Sequence, residues 1–266
     1  AELDCAAMRC AAHSGQPSVL ATLLAVGGEP VQESLCEAVQ AGSARCVQLL
    51  LEAGLDGECP SSMHIAAAEG HADIVELLLA HGADPDPHWG AEPALTIAAQ
   101  NGHADVMHML LEAGADIECE ASDDYDLGRP LEECKTVVTA RVALEAGALV
   151  QDDDDEGYAP LVRVAAQADP EVLSLLLEAG AAINGADQQG WTALHAAAGA
   201  GRATNVKVLL AAGASFTATD GCGSTALHAA AGCDEIEFAS SGSAAEVVRT
   251  LLAAGAAVSQ VEEGGN

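Results

Sequence analysis

The sequence predicts an all-α solenoid of stacked helix–turn–helix units, and three observations predict it. The first is the stretch Gly190 to Gly213, GWTALHAAAGAGRATNVKVLLAAG. Thr192 is placed to cap a first helix whose Leu194, Ala197 and Ala198 keep to one face. Gly201 ends that helix, because glycine accepts the left-handed backbone that terminates helices. Val206, Val208, Leu209 and Leu210 form the apolar stripe of a second helix closed by Gly213. A hairpin this small cannot bury its own apolar face, so it needs a neighbour on each side. The second observation is that the closing glycine returns at Gly27, Gly54, Gly82, Gly114, Gly147, Gly180, Gly213 and Gly255. The spacings are 27, 28, 32, 33, 33, 33 and 42 residues, a period near that of helical solenoids. The third is composition: half of the residues are apolar, yet only 2% are aromatic. Much of the apolar content is alanine, which suits helices packed at close distance and not a large aromatic core.

The repeated unit resembles the ankyrin repeat. Thr192-Ala193-Leu194-His195 and Thr225-Ala226-Leu227-His228 are similar to that family's Thr-Pro-Leu-His tetrapeptide. Gly70-His71 and Gly102-His103 resemble its Gly-His pair between the helices, and Leu-Leu-Leu before the closing glycine resembles its second-helix ending. Several motifs recur at one period over nearly the whole chain, which makes the resemblance specific. It implies a fold with short β-hairpin fingers between units and a role in binding other proteins along a concave face.

In order, the array divides into repeats at about 1–28, 29–59, 60–86, 87–118, 119–151, 152–184, 185–217 and 218–259. In the first two, Ala7-Met8-Arg9 and Ser34-Leu35-Cys36 stand where Ala-Leu-His stands later. The junctions after Gly27 and Gly54 are too short for full fingers, so tight loops are expected. Repeats three and four are well formed. Repeat five is degenerate: Leu131 to Gly147 spans 16 residues against 19 from Leu194 to Gly213, so its helices should be shortened or shifted, with a long leading loop. Such a unit could also act as a hinge. In repeat six Asp169-Pro170 replaces the Gly-His pair, and Pro170 suits the first turn of the second helix. Repeat eight carries an insert at 232–243, rich in glycine, serine and acids, expected to be a solvated loop. Cys5, Ala6, Ala7, Cys10 and Ala11 make a poor polar cap, which suggests a larger native protein.

The net charge of −32, from 41 acids and 9 bases, argues against nucleic acid and anionic membranes as partners, since phosphate recognition needs clustered Lys and Arg. A charged partner should be basic. No run of about 18 apolar residues suggests a membrane-spanning helix, and no signal peptide is visible. The nine cysteines lack any Cys-x-x-Cys pair and read as small buried hydrophobes in a reducing compartment, which points to the cytoplasm, with the nucleus as the alternative. No metal or cofactor is expected.

His64, His195 and His228 occupy the tetrapeptide position, where the resemblance implies a structural ring bonded to the threonine and to a neighbouring turn; Thr192 and Thr225 are their partners. The chain has no Gly-x-Ser-x-Gly elbow, no phosphate-cradling Gly-Lys-Ser/Thr loop and no His-Glu-x-x-His helix, so no catalytic residues are expected.

The candidate protein-binding residues are of three kinds. Trp89, Tyr125, Tyr158 and Trp191, four of the six aromatics, fall in the finger segments, together with Gln188 and Gln189. Exposed Trp and Tyr are common interface anchors, though each could equally staple its own hairpin. Acids cluster around Asp126 and Asp153, Asp154 and Asp155; residues 116–156 hold 14 acids and 3 bases. That run is either a solvated, self-repelling loop or a patch for a Lys/Arg-rich segment, and its spacing does not fit an EF-hand. Glu69, Gln100, Asn101 and Gln167, late in the first helices, should face the groove. Asn184 sits where the resemblance places hydroxylated asparagines, but Ala182 stands where their usual acid would be.

The function these features imply is an interaction module, scaffold or adaptor, that presents an acidic concave face to a partner with basic segments, as a monomer or within a larger chain. The alternative is a regulatory ankyrin segment of a multidomain protein such as a channel, kinase or ubiquitin-ligase adaptor. A third class, an acid-rich spacer, predicts that changing Trp89 or Trp191 affects only stability.

Overall fold

The computed structural model describes residues 2–57, 59, 61–87, 92–119, 128–150, 159–232 and 241–256. Among them are sixteen helices and no extended strand, with two isolated antiparallel bridges, Ala186 to Thr192 and Thr219 to Thr225. The chain divides into two compact units, with the boundary between Pro130 and Leu131.

The first unit holds α1 (Glu2–His13), α2 (Pro17–Ala25), α3 (Gln32–Gln40), α4 (Ala44–Glu52), α5 (Ser62–Glu69), α6 (Ala72–Ala80), α7 (Ala94–Asn101) and α8 (Ala104–Glu112). Helices this short are marginal alone, so packing has to hold them. The first helices α1, α3, α5 and α7 stack in one row and the second helices α2, α4, α6 and α8 in another. One register explains the first row. Met8, Leu35, Met63 and Leu95 are buried, each followed three and four residues later by a buried small or branched residue: Ala11 and Ala12, Ala38 and Val39, Ala66 and Ala67, Ala98 and Ala99. Small residues let the next helix approach closely. Ala11 therefore belongs to the packed face, whereas Ala6, Ala7 and Cys10 are exposed as a weak cap would be. In the second row Leu50, Leu78 and Leu110 are wholly buried, each stabilising by about 1.5–3 kcal/mol.

The second unit holds α9 (Pro130–Glu133), α10 (Val137–Glu145), α11 (Pro160–Gln167), α12 (Pro170–Glu178), α13 (Ala193–Gly199), α14 (Ala203–Ala211), α15 (Ala226–Ala230) and α16 (Ser241–Ala253). Helices α11, α13 and α15 stack, as do α10, α12, α14 and α16. Leu161 and Leu194 keep the register, over Val164 and Ala165 and over Ala197 and Ala198. Repeat five is indeed abbreviated, its first helix reduced to the four residues of α9. Polar bonds do what its apolar face is too short to do: Arg163 Nε donates to the buried Glu133 Oε1 at 2.8 Å, and Gln167 Nε2 to the Glu132 carbonyl at 2.8 Å. Thr136 caps α10, its hydroxyl accepting from the Thr139 amide at 3.3 Å. Pro170 opens α12 behind Asp169, in the place where proline's missing N–H costs nothing.

Every closing glycine has positive φ, and at seven of them, from Gly27 to Gly213, an added Cβ would touch nothing within 4 Å. Conformation alone therefore selects glycine there. In repeat eight, residues 233–240 of the insert lie outside the described residues, but the expected loop is already helical from Ser241, which lengthens α16 to 13 residues against nine in most second helices.

The cysteines depart from the expected set of small buried hydrophobes. Cys46 and Cys134 are buried as expected, and burial pushes the Cys134 thiol up to about 12. Cys10 and Cys222 are exposed instead. Cys36 and Cys59 are bonded to each other, with Cα atoms 6.6 Å apart, because the turn after α4 brings Cys59 against α3.

Candidate protein-binding surface

Two turns in the second unit form fingers of the same design. Asp187 Oδ1 accepts from the amides of Gln189 at 2.9 Å and Trp191 at 2.8 Å, while the Asp187 amide donates to the Trp191 carbonyl at 2.9 Å. One repeat later, Asp220 Oδ1 accepts from the amides of Cys222 at 2.9 Å and Ser224 at 2.8 Å, and the Asp220 amide donates to the Ser224 carbonyl at 2.9 Å. An aspartate that accepts from its own turn is a local device that needs no partner strand. The two tips touch, the Gly221 amide donating to the Gln189 carbonyl at 2.8 Å. A Cβ at Gly190, where φ is 82°, would sit 2.9 Å from the Gly221 nitrogen, so this approach requires glycine. Gln188 and Gln189 are exposed on the first tip.

Trp191 lies at the base of that finger, half-buried. Its ring centroid is 6.2 Å from that of His195, tilted by 38°, and a Cβ at Gly199 would lie 3.7 Å from its far edge. The indole thus runs along α13, one part packed and one part open. Beneath it, Thr192 and His195 form a capping box. The Thr192 amide donates to His195 Nδ1 at 3.2 Å, and Thr192 Oγ1 lies 2.8 Å from the same nitrogen. His195 Nε2 lies 3.1 Å from the Ser224 carbonyl oxygen. An amide on one nitrogen and a carbonyl on the other assign the neutral tautomer with its proton on Nε2, which donates to Ser224. Thr225 and His228 repeat the box, with Nδ1 3.0 Å from the Thr225 amide nitrogen and 2.9 Å from its hydroxyl. His64 occupies the same register in α5 and is half-buried.

The remaining candidates are spread over both units. In the first, Glu69 and Asn101 end α5 and α7 at matching positions and are exposed, and Gln100 is half-buried. Asn101 Nδ2 donates back to the Ile97 carbonyl at 2.9 Å. In the second, Gln167 occupies the matching position in α11, with its amide engaged on Glu132. Trp89, Tyr125, Asp126, Asp153, Asp154, Asp155 and Tyr158 lie outside the described residues. Asn184 Oδ1 accepts from the Ser215 amide at 2.8 Å, and Asp86 Oδ2 from the Asp116 amide at 2.7 Å, so this position ties one turn to the next.

The bases are largely engaged. Arg9 pairs with Glu37, Arg129 with Glu118, Arg163 with Glu133 and Lys207 with Glu246. Arg202 donates to the Gln167 and Ala168 carbonyls at 2.6 and 2.9 Å, taking the place of the histidine in the Gly-His pair. His103 plays that part between α5 and α7, with Nε2 3.0 Å from the Ala68 carbonyl oxygen. Hydrogen bonds from Arg9 and then His13 hold the Glu37 carboxyl below its ordinary value. Glu69, Asp84 and Asp116 stay exposed. Among the described residues, no three His, Cys, Asp or Glu are grouped to hold a metal. A shallow depression of about 380 Å³ lies beside Pro170, Arg202, Thr204 and Asn205, and the Arg202 and Asn205 side chains in it are already bonded to carbonyls at the end of α11 and just after it. No helix among the described residues is long and apolar enough to cross a membrane.

Asp187 and Asp220, which build the fingers, were not among the expected site residues. Their signal is an Asp-x-x-Gly turn repeated 33 residues apart, at 187–190 and 220–223.

The family profile described as ankyrin repeats (3 copies) matches residues 7–88, 35–121, 134–220 and 165–262, most of the chain. A stretch of 58 residues is 48% identical to the mouse 2-5A-dependent ribonuclease; it covers 20% of this chain and 8% of that protein. This chain thus corresponds to a small part of that relative's length. The crystal structure of the human ASB11 ankyrin repeat domain superposes with a TM-score of 0.53 over 93% of this chain and 96% of that one, at 23% identity, a likeness of fold.

Proposed function

Because the chain belongs to the ankyrin repeat family, whose repeats generally mediate protein–protein interaction, we propose that it acts by binding a partner protein through an acidic surface, with no chemical step. The partner carries Lys/Arg-rich segments. Such segments dock on the exposed acids of either unit, and within the second unit Trp191, beside the fingers, supplies an aromatic anchor. One observation carries this reading: the arginines and the lysine named above are satisfied inside the chain, while acids such as Glu69, Asp84 and Asp116 remain exposed. A net charge of −32 with so few free bases attracts a basic segment and repels an acidic one. The fingers are held by their own hydrogen bonds, so little ordering cost is added on binding.

The test is affinity capture from cell extract with the full chain, in parallel with a Trp191→Ala variant of unchanged helicity, at low and high salt. The expected result is a protein with basic segments that the parent retains, that salt releases and that the variant holds less tightly. Capture that ignores both salt and the substitution would overturn the reading.

A further inference from the structure

Neighbouring repeats are tied through a recurring slot. In the second unit His195, last residue of Thr-Ala-Leu-His, donates to the Ser224 carbonyl in the turn that opens the next repeat. Leu35 and Cys36 stand in the register of Leu194 and His195: Leu35, Ala38 and Val39 are buried as Leu194, Ala197 and Ala198 are. Cys36 too reaches the turn that opens the next repeat, where it meets Cys59, 23 residues on. Their Cα separation of 6.6 Å lies within the usual disulfide range of about 4.4–6.8 Å. Thr96, in the same register of α7, lies beside Cys119, again 23 residues on. The slot therefore accepts a hydrogen bond or a covalent one, according to the two side chains placed in it.

We propose that Cys36 and Cys59 form a reversible oxidation site, a staple that locks repeat two to repeat three when oxidised and releases the joint when reduced. In closing, the two thiols lose two protons and two electrons to a peroxide, the O–O bond breaks, the S–S bond forms and two waters leave when the peroxide is hydrogen peroxide. In opening, a dithiol reductant returns the electrons and protons and leaves as its own disulfide. Cys36 is half-buried, which admits both reagents, while Cys59 is 6% exposed and held against it.

Among the described residues, little else polar holds the joint. Gln32 Nε2 reaches the Asp56 carbonyl and carboxylate at 3.3 and 3.2 Å, while the Ser34 and Ser62 hydroxyls, both fully buried at the facing helix starts, have no hydrogen-bond partner among the described residues. Buried hydroxyls without partners weaken a contact. In an array, where each repeat contacts only its neighbours, such a joint opens locally. Closing a 23-residue loop restricts that opening. The proposal stands independently of partner binding.

The test uses the full chain, fully reduced with a dithiol and then treated with hydrogen peroxide. Peptide mapping after differential alkylation reads the pairing, and amide hydrogen exchange reads the joint. The expected result is a Cys36–Cys59 cross-linked peptide, with exchange across α3 and α5 slowed by at least about tenfold and restored by the dithiol. Cys36→Ser and Cys59→Ser should each lose this response. The mapping on the parent chain decides the matter even if a variant misfolds. Absence of the cross-link, pairing with Cys10 or another cysteine instead, or a cross-link that leaves exchange unchanged would overturn the proposal.

Discussion

Replacing His195 with leucine isolates the bond that joins one repeat to the next. The substitution keeps the buried volume roughly filled and removes both ring nitrogens. Lost are the acceptor for the Thr192 amide at 3.2 Å and the donor to the Ser224 carbonyl at 3.1 Å. Each bond contributes about 1 kcal/mol net, and a buried group left unpaired costs about 1–3 kcal/mol, so His195→Leu should lose about 3 kcal/mol. His228→Leu is the internal control. Its box with Thr225 has nearly the same distances, but it is half-buried where His195 is 1% exposed, and among the described residues its Nε2 has no partner in a following repeat. It should lose about 1 kcal/mol. The assay is urea unfolding of the full chain followed by far-ultraviolet circular dichroism, with hydrogen exchange in α13 and α15 locating the loss. A gap of about 2 kcal/mol between the variants measures the inter-repeat bond together with its burial. Equal losses, within about 0.5 kcal/mol, would refute the assignment of His195 as a tie between repeats.

Two further outcomes are expected. Glu37 accepts from Arg9 at 3.1 Å and lies 2.8 Å from His13 Nδ1, and these bonds lower its folded pKa from the ordinary 4.5. A carboxyl whose pKa is lower when folded stabilises above its unfolded value and loses that contribution as pH falls through the folded one. The contact between α1 and α3 should therefore weaken on acidification below about pH 4.5, and Glu37→Gln should lack that part of the acid response; superimposable pH profiles would count against it. Gly190→Ala forces a left-handed non-glycine residue and a clash with Gly221, so the finger contact should break at a cost of about 1–3 kcal/mol, read as faster exchange of the Gly221 amide with α11 unaffected.

The extent to which the site was legible follows from the range of the forces involved. Thr192 and His195 stand three residues apart, so their capping box is written in one turn of chain. The shortening of repeat five followed from 16 residues where its neighbours have 19. Asp187 and Asp220 were equally local, and their turn signal was open to reading. Gln167 is legible as a residue late in a first helix, but that its amide donates to the Glu132 carbonyl of the preceding repeat is set by packing between repeats. The pairing of the cysteines is hidden from the sequence for a related reason. Cys36 looks like any small residue on a helix face, and nothing within several residues of it shows that Cys59 lies opposite.

The sequence alone therefore determined the all-α class, the repeat period and the ends of most helices. Those depend on apolar spacing within one helix and on glycine at the closing turn, properties of a few consecutive residues. Tertiary structure decided which side chain fills each slot between repeats: the ring of His195 on Ser224, the guanidinium of Arg202 on Gln167 and Ala168, and the sulfur of Cys36 on Cys59. A period brings residues 23 to 40 apart into the same neighbourhood, but the direction of each side chain across the joint depends on the packing of both helices at once.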